Sequence, residues 1–274
     1  MRRVERAVDL TEPTRHRSLP LAFAVGGVVG VLGGMIGLGG AEFRLPLLIS
    51  LFSFAALAAI IMNKALSLIV VMTALPARLL AVPLDEVTPF WFVVVNLLIG
   101  SLAGAWVGAH WATRLASKTL YHVLAALLLG IAVLLVVTHV FTLDPVALPP
   151  AMQWTVGILA GFVIGVVAAV MGVAGGELLI PTIVVLYGVD IKIAGTLSLI
   201  VSLPTMLVAF ARYSRDNSFR VLSENKAFLV SMAAGSIAGA ILGGLLLGVV
   251  PNLVIVPLLV ILLLLSSWKV WNHR

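Results

Sequence analysis

The chain has no cysteine and few charged residues, and both absences limit what it can be. Without a thiol it forms no disulfide, no thiolate metal site and no persulfide relay. Charged side chains make up 10% of its 274 residues, while 62% are hydrophobic. A soluble domain of this length needs a more polar surface than that. We therefore interpret the sequence as an all-α integral membrane protein.

Uncharged apolar stretches divide the chain. A membrane-spanning helix needs about 20 consecutive apolar residues. Eight regions reach that length, at residues 19–53, 55–80, 88–110, 119–142, 152–188, 190–212, 226–250 and 252–271. The first and fifth are long enough to turn inside the membrane.

Signals of catalysis and of nucleic-acid binding are missing as well. The chain has no His-Glu-x-x-His pair, no aspartate pair and no Ser/His arrangement, and its five histidines fall near segment ends or in the tails. The formal charge of +6 comes from basic residues at segment ends, where they orient a membrane protein. We expect neither an enzyme nor a nucleic-acid partner, and no metal or cofactor.

An internal repeat is the main positive feature. The stretch from Gly37 to Pro46 matches the stretch from Gly172 to Pro181, and the offset between the two is constant along the match. The same offset relates residues 100–105 (GSLAGA) to residues 235–240 (GSIAGA). A shared offset indicates a duplicated unit. Duplicated halves that each contain a glycine-interrupted apolar segment are typical of secondary transporters.

The distribution of charge predicts the topology. Basic residues collect in the N-terminal tail, in the loops at residues 113–118 and 212–226, and near the C-terminus, whereas residues 143–151 and 249–252 have none. The positive-inside rule then requires an even number of crossings between the tail and the first basic loop. Three apolar regions lie between them, so we expect the first to be a re-entrant hairpin, turning at Gly37–Gly40. Eight plain spans with a poor charge bias remain the alternative.

The same treatment turns the fifth region at Gly172–Gly176. Each repeat then has one broken, re-entrant hairpin and three spanning helices, and the odd number of crossings makes the repeats inverted. We expect a cytoplasmic tail over residues 1–18, repeat 1 over 19–142 and repeat 2 over 152–272, with both termini cytoplasmic. The repeat match begins inside the first apolar stretch, so we expect that stretch to belong to the mature protein.

The two turns predict an anion site. Unwound backbone in a bilayer needs a protein-lined or wet cavity. A short helix is expected to begin after each turn, at about Ala41 and about Gly176, and to aim its free N–H groups and positive dipole end into that cavity. The backbone candidates for substrate binding are Gly39, Gly40, Ala41, Gly175 and Gly176. We expect Gly37, Pro46, Gly172 and Pro181 to act as structural hinges.

Three charged residues follow the turns. Glu42 and Glu177 either cap the first N–H groups of the short helices or carry protons, since intramembrane carboxylates usually belong to a pathway. Arg44 has the apolar counterpart Leu179. It either neutralises Glu42, contacts substrate or reaches back to the cytoplasmic surface.

A second group of candidates lies in the helix after each hairpin. Asn63 and Ser67 in the first repeat, and Thr196 and Ser198 in the second, either bind an oxyanion or bond back to their own helix. Lys64 either complements an anion or marks the cytoplasmic end of its helix.

The remaining patterns indicate packing and anchoring. Glycines stand at four-residue spacing at positions 100, 104 and 108 and again at 235, 239 and 243. Such stripes let helices approach closely in lipid. Arg212 anchors or gates one helix end, with anchoring favoured. The six tryptophans, Trp106 among them, mostly lie near predicted helix ends, as an interfacial belt requires.

These motifs resemble a known family. The paired Gly-rich motifs ending in Pro46 and Pro181, the "AGTLSL" stretch at residues 194–199 and the repeated Gly-Ser-x-Ala-Gly-Ala are similar to the TauE/SafE family of sulfite exporters, over roughly residues 20–272. The resemblance implies export of sulfite or an organosulfonate-related anion across the bacterial inner membrane. It points to the turn glycines and prolines and to Ser67, Thr196 and Ser198. Asn63-Lys64-Ala65 departs from the second copy's Ala194-Gly195-Thr196.

Three alternatives stay open: an intramembrane enzyme, a cation transporter that uses Glu42 and Glu177 as ligands, and a membrane subunit without transport of its own. The sequence does not indicate which anion, which coupling ion or which oligomeric state applies. We expect alternating access around the two tips, driven by protons or by the membrane potential.

Overall fold

The computed structural model of the chain describes residues 18–36, 40–82, 84–140, 145–245 and 252–272. All regular elements in these ranges are helices. The helices are α1 Leu19–Ile36, α2 Ala41–Ser50, α3 Ala56–Ala81, α4 Leu84–Val87, α5 Trp91–Ala112, α6 Ser117–Val140, α7 Pro150–Met171, α8 Gly176–Tyr187, α9 Ile191–Tyr213, α10 Arg220–Glu224, α11 Lys226–Leu245 and α12 Asn252–Trp271. The prediction of an all-helical protein is confirmed.

Six of the described helices are long and apolar enough to cross a membrane. These segments are Ala56–Pro76, Leu84–Ala112, Ser117–Thr138, Pro150–Met171, Ile191–Tyr213 and Lys226–Gly243. The prediction of a multi-pass membrane protein is confirmed at this level. One detail differs from the predicted re-entrant hairpin. Its first arm, α7, has 22 residues, about 33 Å at 1.5 Å per residue, and is therefore longer than half a membrane span.

Both predicted breaks lie where the glycines stand. The fifth apolar region splits into α7 and α8, and α7 ends at Gly172, whose φ of 69° is the left-handed conformation that glycine adopts without strain. The first region splits into α1 and α2. The short helices begin at Ala41 and Gly176, as predicted, after Gly40 with φ 67° and Gly175 with φ 87°. Gly37 and Gly39 lie outside the described residues.

Each broken segment folds back as a hairpin, whose base we define as its two outer ends and whose tip as its turn. At the base of the α7/α8 hairpin, the Val146 N–H donates to Val185 O at 2.9 Å and Gln153 Nε2 donates to Leu186 O at 2.7 Å. The base of the α1/α2 hairpin lies against the start of α11. There Ser231 Oγ donates to Leu19 O, and the Phe52 ring packs edge-on against Phe228.

The hairpins pack on the opposite repeat. Helix α1 packs most closely against α11, and α7 against α5. A Cβ placed on Gly104 of α5 would overlap Phe162 O of α7, and one on Gly239 of α11 would overlap Gly27 O of α1. Gly239 is the repeat counterpart of Gly104, and Gly27 stands at the position equivalent to Phe162. The two interfaces therefore repeat each other with the halves exchanged, and the glycine stripes pack helices as predicted.

A glycine-to-alanine substitution should have different effects inside and outside the glycine stripes. Gly104→Ala and Gly239→Ala should each destabilise the protein by about 1–3 kcal/mol, because a methyl group has no room against a backbone carbonyl. Gly130→Ala in α6, where nothing lies within 4 Å of the added Cβ, should be neutral or stabilise by up to about 1 kcal/mol. Unfolding of the detergent-solubilised protein measures both. Equal effects at Gly104 and Gly130 would contradict this packing.

Candidate functional site

The α2 residue Arg44 lies at the centre of the polar cluster between the hairpins. Its side chain is completely buried. The guanidinium donates to three neutral acceptors: Nε to Asn63 Oδ1 at 2.9 Å, Nη2 to Ser67 Oγ at 2.8 Å and Nη1 to Ser236 Oγ at 3.3 Å. The alternative in which Arg44 reaches back to the membrane surface is therefore wrong. The arginine instead ties α2 to α3 and α11.

The amide of Asn63 joins the tips of the two hairpins. Its Nδ2 donates to Ala41 O, at the start of α2, at 3.0 Å, and to Met171 O, at the end of α7, at 3.2 Å. Its Oδ1 accepts from Arg44. Asn63 has no exposed surface, so all of these bonds form away from water, where an unpaired group is costly. One α3 side chain thus fixes the distance between the two broken segments.

The α3 residue Lys64 is directed at the tip of the second hairpin. It is 1% exposed, and Nζ donates to Ala168 O at 2.8 Å and to Val173 O at 2.6 Å. These carbonyls belong to the end of α7 and the turn after it, where helix carbonyls lack partners in their own helix. The idea that Lys64 marks a helix end at the cytoplasmic surface is wrong. Its ammonium group stabilises the negative dipole end of α7.

A serine connects the same two features. Ser67 Oγ accepts from Arg44 and donates to Gly172 O at 3.2 Å. It is 2% exposed and lies one helical turn beyond Asn63 in α3. Arg44, Asn63, Lys64 and Ser67 therefore form one hydrogen-bonded unit around the second tip, which we call the tip cluster.

The carboxyl groups of Glu42 and Glu177 also meet between the tips. Each is the second residue of its short helix, and the two interact electrostatically with each other. Oε2 of Glu42 and both carboxylate oxygens of Glu177 are buried and have no hydrogen-bond partner among the described residues. The two carboxyls approach each other and the N–H groups at the starts of their own helices, so capping stays a prediction. Two carboxyls this close can share one proton.

Charges in the tip cluster are not paired directly. In the described part of the chain, the ion pair within hydrogen-bonding reach is Arg220 with Glu224 at the surface, and neither Arg44 nor Lys64 has a carboxylate at that range. Both cations are held by neutral oxygens instead. The guanidinium of Arg44 stays charged when it is buried, and Glu42 and Glu177 act electrostatically on Arg44 and Lys64, respectively, from beyond that range.

The predicted site residues of the second repeat are arranged differently. Thr196 and Ser198 are buried, but they bond within α9, to Lys192 O at 3.4 Å and to Gly195 O at 2.8 Å. No hydrogen bond among the described residues connects them to the tip cluster. Pro46 and Pro181 lie inside α2 and α8, and both helices continue past them.

Sequence reasoning missed Ser236. It is 1% exposed and accepts from Arg44, although its motif was interpreted as helix packing. Its counterpart Ser101 has a different partner, Thr205 Oγ1 at 2.8 Å. The sequence did contain a signal for this residue, because a serine is the polar residue that both copies of the stripe share.

Comparison with known proteins gives one family match. A sequence model described as Sulfite exporter TauE/SafE matches residues 2–135. Residues 2–135 are therefore similar to the TauE/SafE family. The family is one of membrane transporters, so the predicted resemblance is confirmed over that range, which includes α2 and α3 of the tip cluster. No curated protein and no solved structure matches the chain significantly.

The TauE/SafE match indicates a general class of function. It supports an anion transporter in a multi-pass membrane protein, and a transporter family is consistent with the prediction that the chain is not an enzyme. The second half of the chain repeats the turn, the glutamate and the glycine stripe of the matched half at one constant offset.

Proposed function

We propose that the protein exports a small sulfur oxyanion, such as sulfite or an organosulfonate-related anion, across the bacterial inner membrane by alternating access at the tip cluster. The observation that carries this proposal is Arg44, a fully buried guanidinium held by three neutral side chains and by no carboxylate at ion-pair range among the described residues. Arginine presents a planar fork of donors that suits an oxyanion.

The substrate replaces part of this network. An entering oxyanion accepts from the Arg44 fork and from Ser67, both of which are now bonded to each other. It also meets the first N–H groups of α2 and α8 at Ala41 and Gly176, which have no partner within their own helices. Because Ser67 and Asn63 hold both tips, exchanging their bonds for bonds to substrate releases one hairpin from the other.

Export needs a driving force, and two are compatible with this site. An inside-negative potential favours anion exit by about 2.3 kcal/mol per charge per 100 mV. The Glu42–Glu177 pair adds proton coupling in our proposal: a proton between the two carboxyls lowers the negative charge that an anion meets. Coupling and gating are assigned to Glu42, Arg44 and Glu177, and hinge motion to the segments that contain Pro46, Gly172 and Pro181.

Inverted repeats provide the two alternating states. Helix α7 is about 33 Å long, and its last turn bonds to Asn63 and Lys64, in the second and third turns of α3. The base of the α7/α8 hairpin therefore lies far from the start of α3. Only a short connection separates the start of α3 from the base of the α1/α2 hairpin. This arrangement supports hairpins that open to opposite faces, with both termini in the cytoplasm.

A chain without cysteine offers a direct test of that topology. Single-cysteine variants Ser223→Cys, in the basic loop, and Val146→Cys, at the base of the α7/α8 hairpin and half exposed, should be labelled by an impermeant maleimide from opposite sides. Ser223→Cys should react in inverted vesicles and Val146→Cys in intact spheroplasts. Labelling of both from one side would contradict inverted repeats.

Sulfite flux in proteoliposomes tests the substrate proposal. Arg44→Gln should lower the rate by at least about tenfold, the expected effect of losing a charged hydrogen-bond donor. Arg220→Gln, on an exposed surface ion pair, should leave the rate unchanged. Thermal unfolding in detergent identifies variants that fail to fold, and Arg44→Lys, which keeps the charge but loses the fork, should retain an intermediate rate. Wild-type flux through folded Arg44→Gln would refute the role of this arginine.

The carboxyl pair also favours a second candidate function, the transport of a cation or another solute with Glu42 and Glu177 as ligands, because free buried oxygens suit a cation. The double variant Glu42→Gln/Glu177→Gln separates the two. Under our proposal, sulfite counterflow persists and its acceleration by an imposed pH gradient disappears, while Glu224→Gln behaves as wild type. Unchanged, gradient-responsive sulfite flux together with abolished cation uptake would favour the second candidate.

A further inference from the structure

A second group of cations lies outside the transport site, where α5 and α9 end side by side. On α9, Arg212 donates through Nε to His110 Nδ1 on α5 at 3.2 Å, and its Nη2 approaches the same nitrogen. A guanidinium only donates, so Nδ1 of His110 accepts and the ring hydrogen is on Nε2. The histidine therefore adds a neutral donor beside the arginine.

The indole ring of Trp106 contacts two guanidinium groups. Trp106 lies one turn before His110 on α5, and its ring centroid is 6.0 Å from Cζ of Arg212 and 5.1 Å from Cζ of Arg215. Cation–π contacts of this kind hold arginine side chains over an aromatic face. We call Trp106, His110, Arg212 and Arg215 the α5/α9 cluster.

The positive charge of this cluster is not neutralised by ion pairs. Within the described ranges, neither Arg212 nor Arg215 forms an ion pair with a carboxylate. Asp216 is the neighbouring acidic residue in the chain, and its Oδ1 accepts from the Ser218 N–H at a helix start. Arg114 adds a third cation close to His110. Three arginines thus gather at the end of two apolar helices.

The surroundings are those of a membrane–water boundary. Helices α5 and α9 both have the length and composition of membrane spans. Trp106, His110 and Arg212 lie in their last two turns, and Arg215 lies just beyond the end of α9. Beside it, Trp106, Val107 and Leu207 expose 38%, 48% and 48% of their surfaces. A charged end next to exposed apolar side chains matches a molecule with an anionic head and hydrocarbon tails.

We propose that the α5/α9 cluster is a binding site for one anionic glycerophospholipid. The two guanidinium groups and the His110 Nε2–H hold the phosphate, and the acyl chains lie along Val107 and Leu207. Phosphate oxygens suit the donor fork of arginine.

The α5/α9 cluster is also connected to the tip cluster through neighbouring residues. Tyr213, next to Arg212, is fully buried, and its hydroxyl donates to Ala169 O in the last turn of α7 at 3.0 Å. Ala168, beside Ala169, accepts from Lys64 of the tip cluster. A lipid that fixes the end of α9 therefore stabilises the position of the second hairpin.

Native mass spectrometry of the full-length purified protein tests the site. Phosphatidylglycerol and phosphatidylethanolamine with identical acyl chains are the probes. Wild type should retain one phosphatidylglycerol in preference to phosphatidylethanolamine, and Arg212→Gln/Arg215→Gln should lower that preference by about fivefold for each arginine removed. Arg220→Gln, paired with Glu224 and largely exposed, is the matched control and should keep the wild-type preference.

The controls make each outcome decisive. If the double variant does not fold, Arg215→Gln alone replaces it in the experiment. Arg215 is exposed and its side chain contacts Trp106, so this single substitution should not prevent folding. Phosphatidylglycerol should raise the thermal unfolding midpoint of wild type and not that of Arg215→Gln. Equal preference in wild type and variant, or lipid displaced by millimolar inorganic phosphate, would overturn the proposal. Displacement by phosphate would mean that the cluster takes a soluble anion.

Discussion

The burial of one guanidinium imposes most of the order in this protein. Arginine remains charged in a folded protein, and a charge far from water has to be surrounded by acceptors. Two neighbouring helices supply them around Arg44, through Asn63 and Ser67 on α3 and Ser236 on α11. Because these acceptors are neutral, the hydrogen bonds of Arg44 are satisfied without an ion pair, and Glu42 acts on the guanidinium from a longer distance. That combination orders the site and is the basis of the proposed anion binding.

The two halves of the site contribute unequally despite their common origin. The first repeat supplies Arg44, Asn63, Lys64 and Ser67, and the second supplies backbone carbonyls at Ala168, Met171, Gly172 and Val173. Side-chain donors from one repeat therefore bind main-chain acceptors of the other. The second half also contributes one side-chain acceptor, Ser236, and the matching residues Glu42 and Glu177 interact with each other. In this site the carboxyls therefore come from both copies of the sequence motif, whereas the cations come from the first copy.

The features that the sequence predicted best depend on residues close together in the chain. Glycines with positive φ are needed at Gly40, Gly172 and Gly175, so the breaks and the starts of α2 and α8 could be predicted. Stripes at four-residue spacing likewise indicate a close helix contact, because one face of a helix repeats at that interval. What the stripes do not encode is the partner helix, and the packing of α1 on α11 came from the structure.

Long flexible side chains were the least predictable. Arg44 and Lys64 each reach several directions from one backbone position, and the acceptors that select a direction lie up to 192 residues away in the chain. For Thr196 and Ser198 the local alternative, a bond within the same helix, prevailed. Spacing therefore identified the polar residues, whereas their partners depended on the tertiary fold.

The packing of α1 on α11 also constrains biosynthesis. Helix α1 is synthesised well before α11, because most of the described chain lies between them. Until α11 has been made, the glycine face of α1 has no protein partner and faces lipid or the translocation machinery. A ribosome that stalls between the two helices therefore leaves this glycine face without the surface on which it packs.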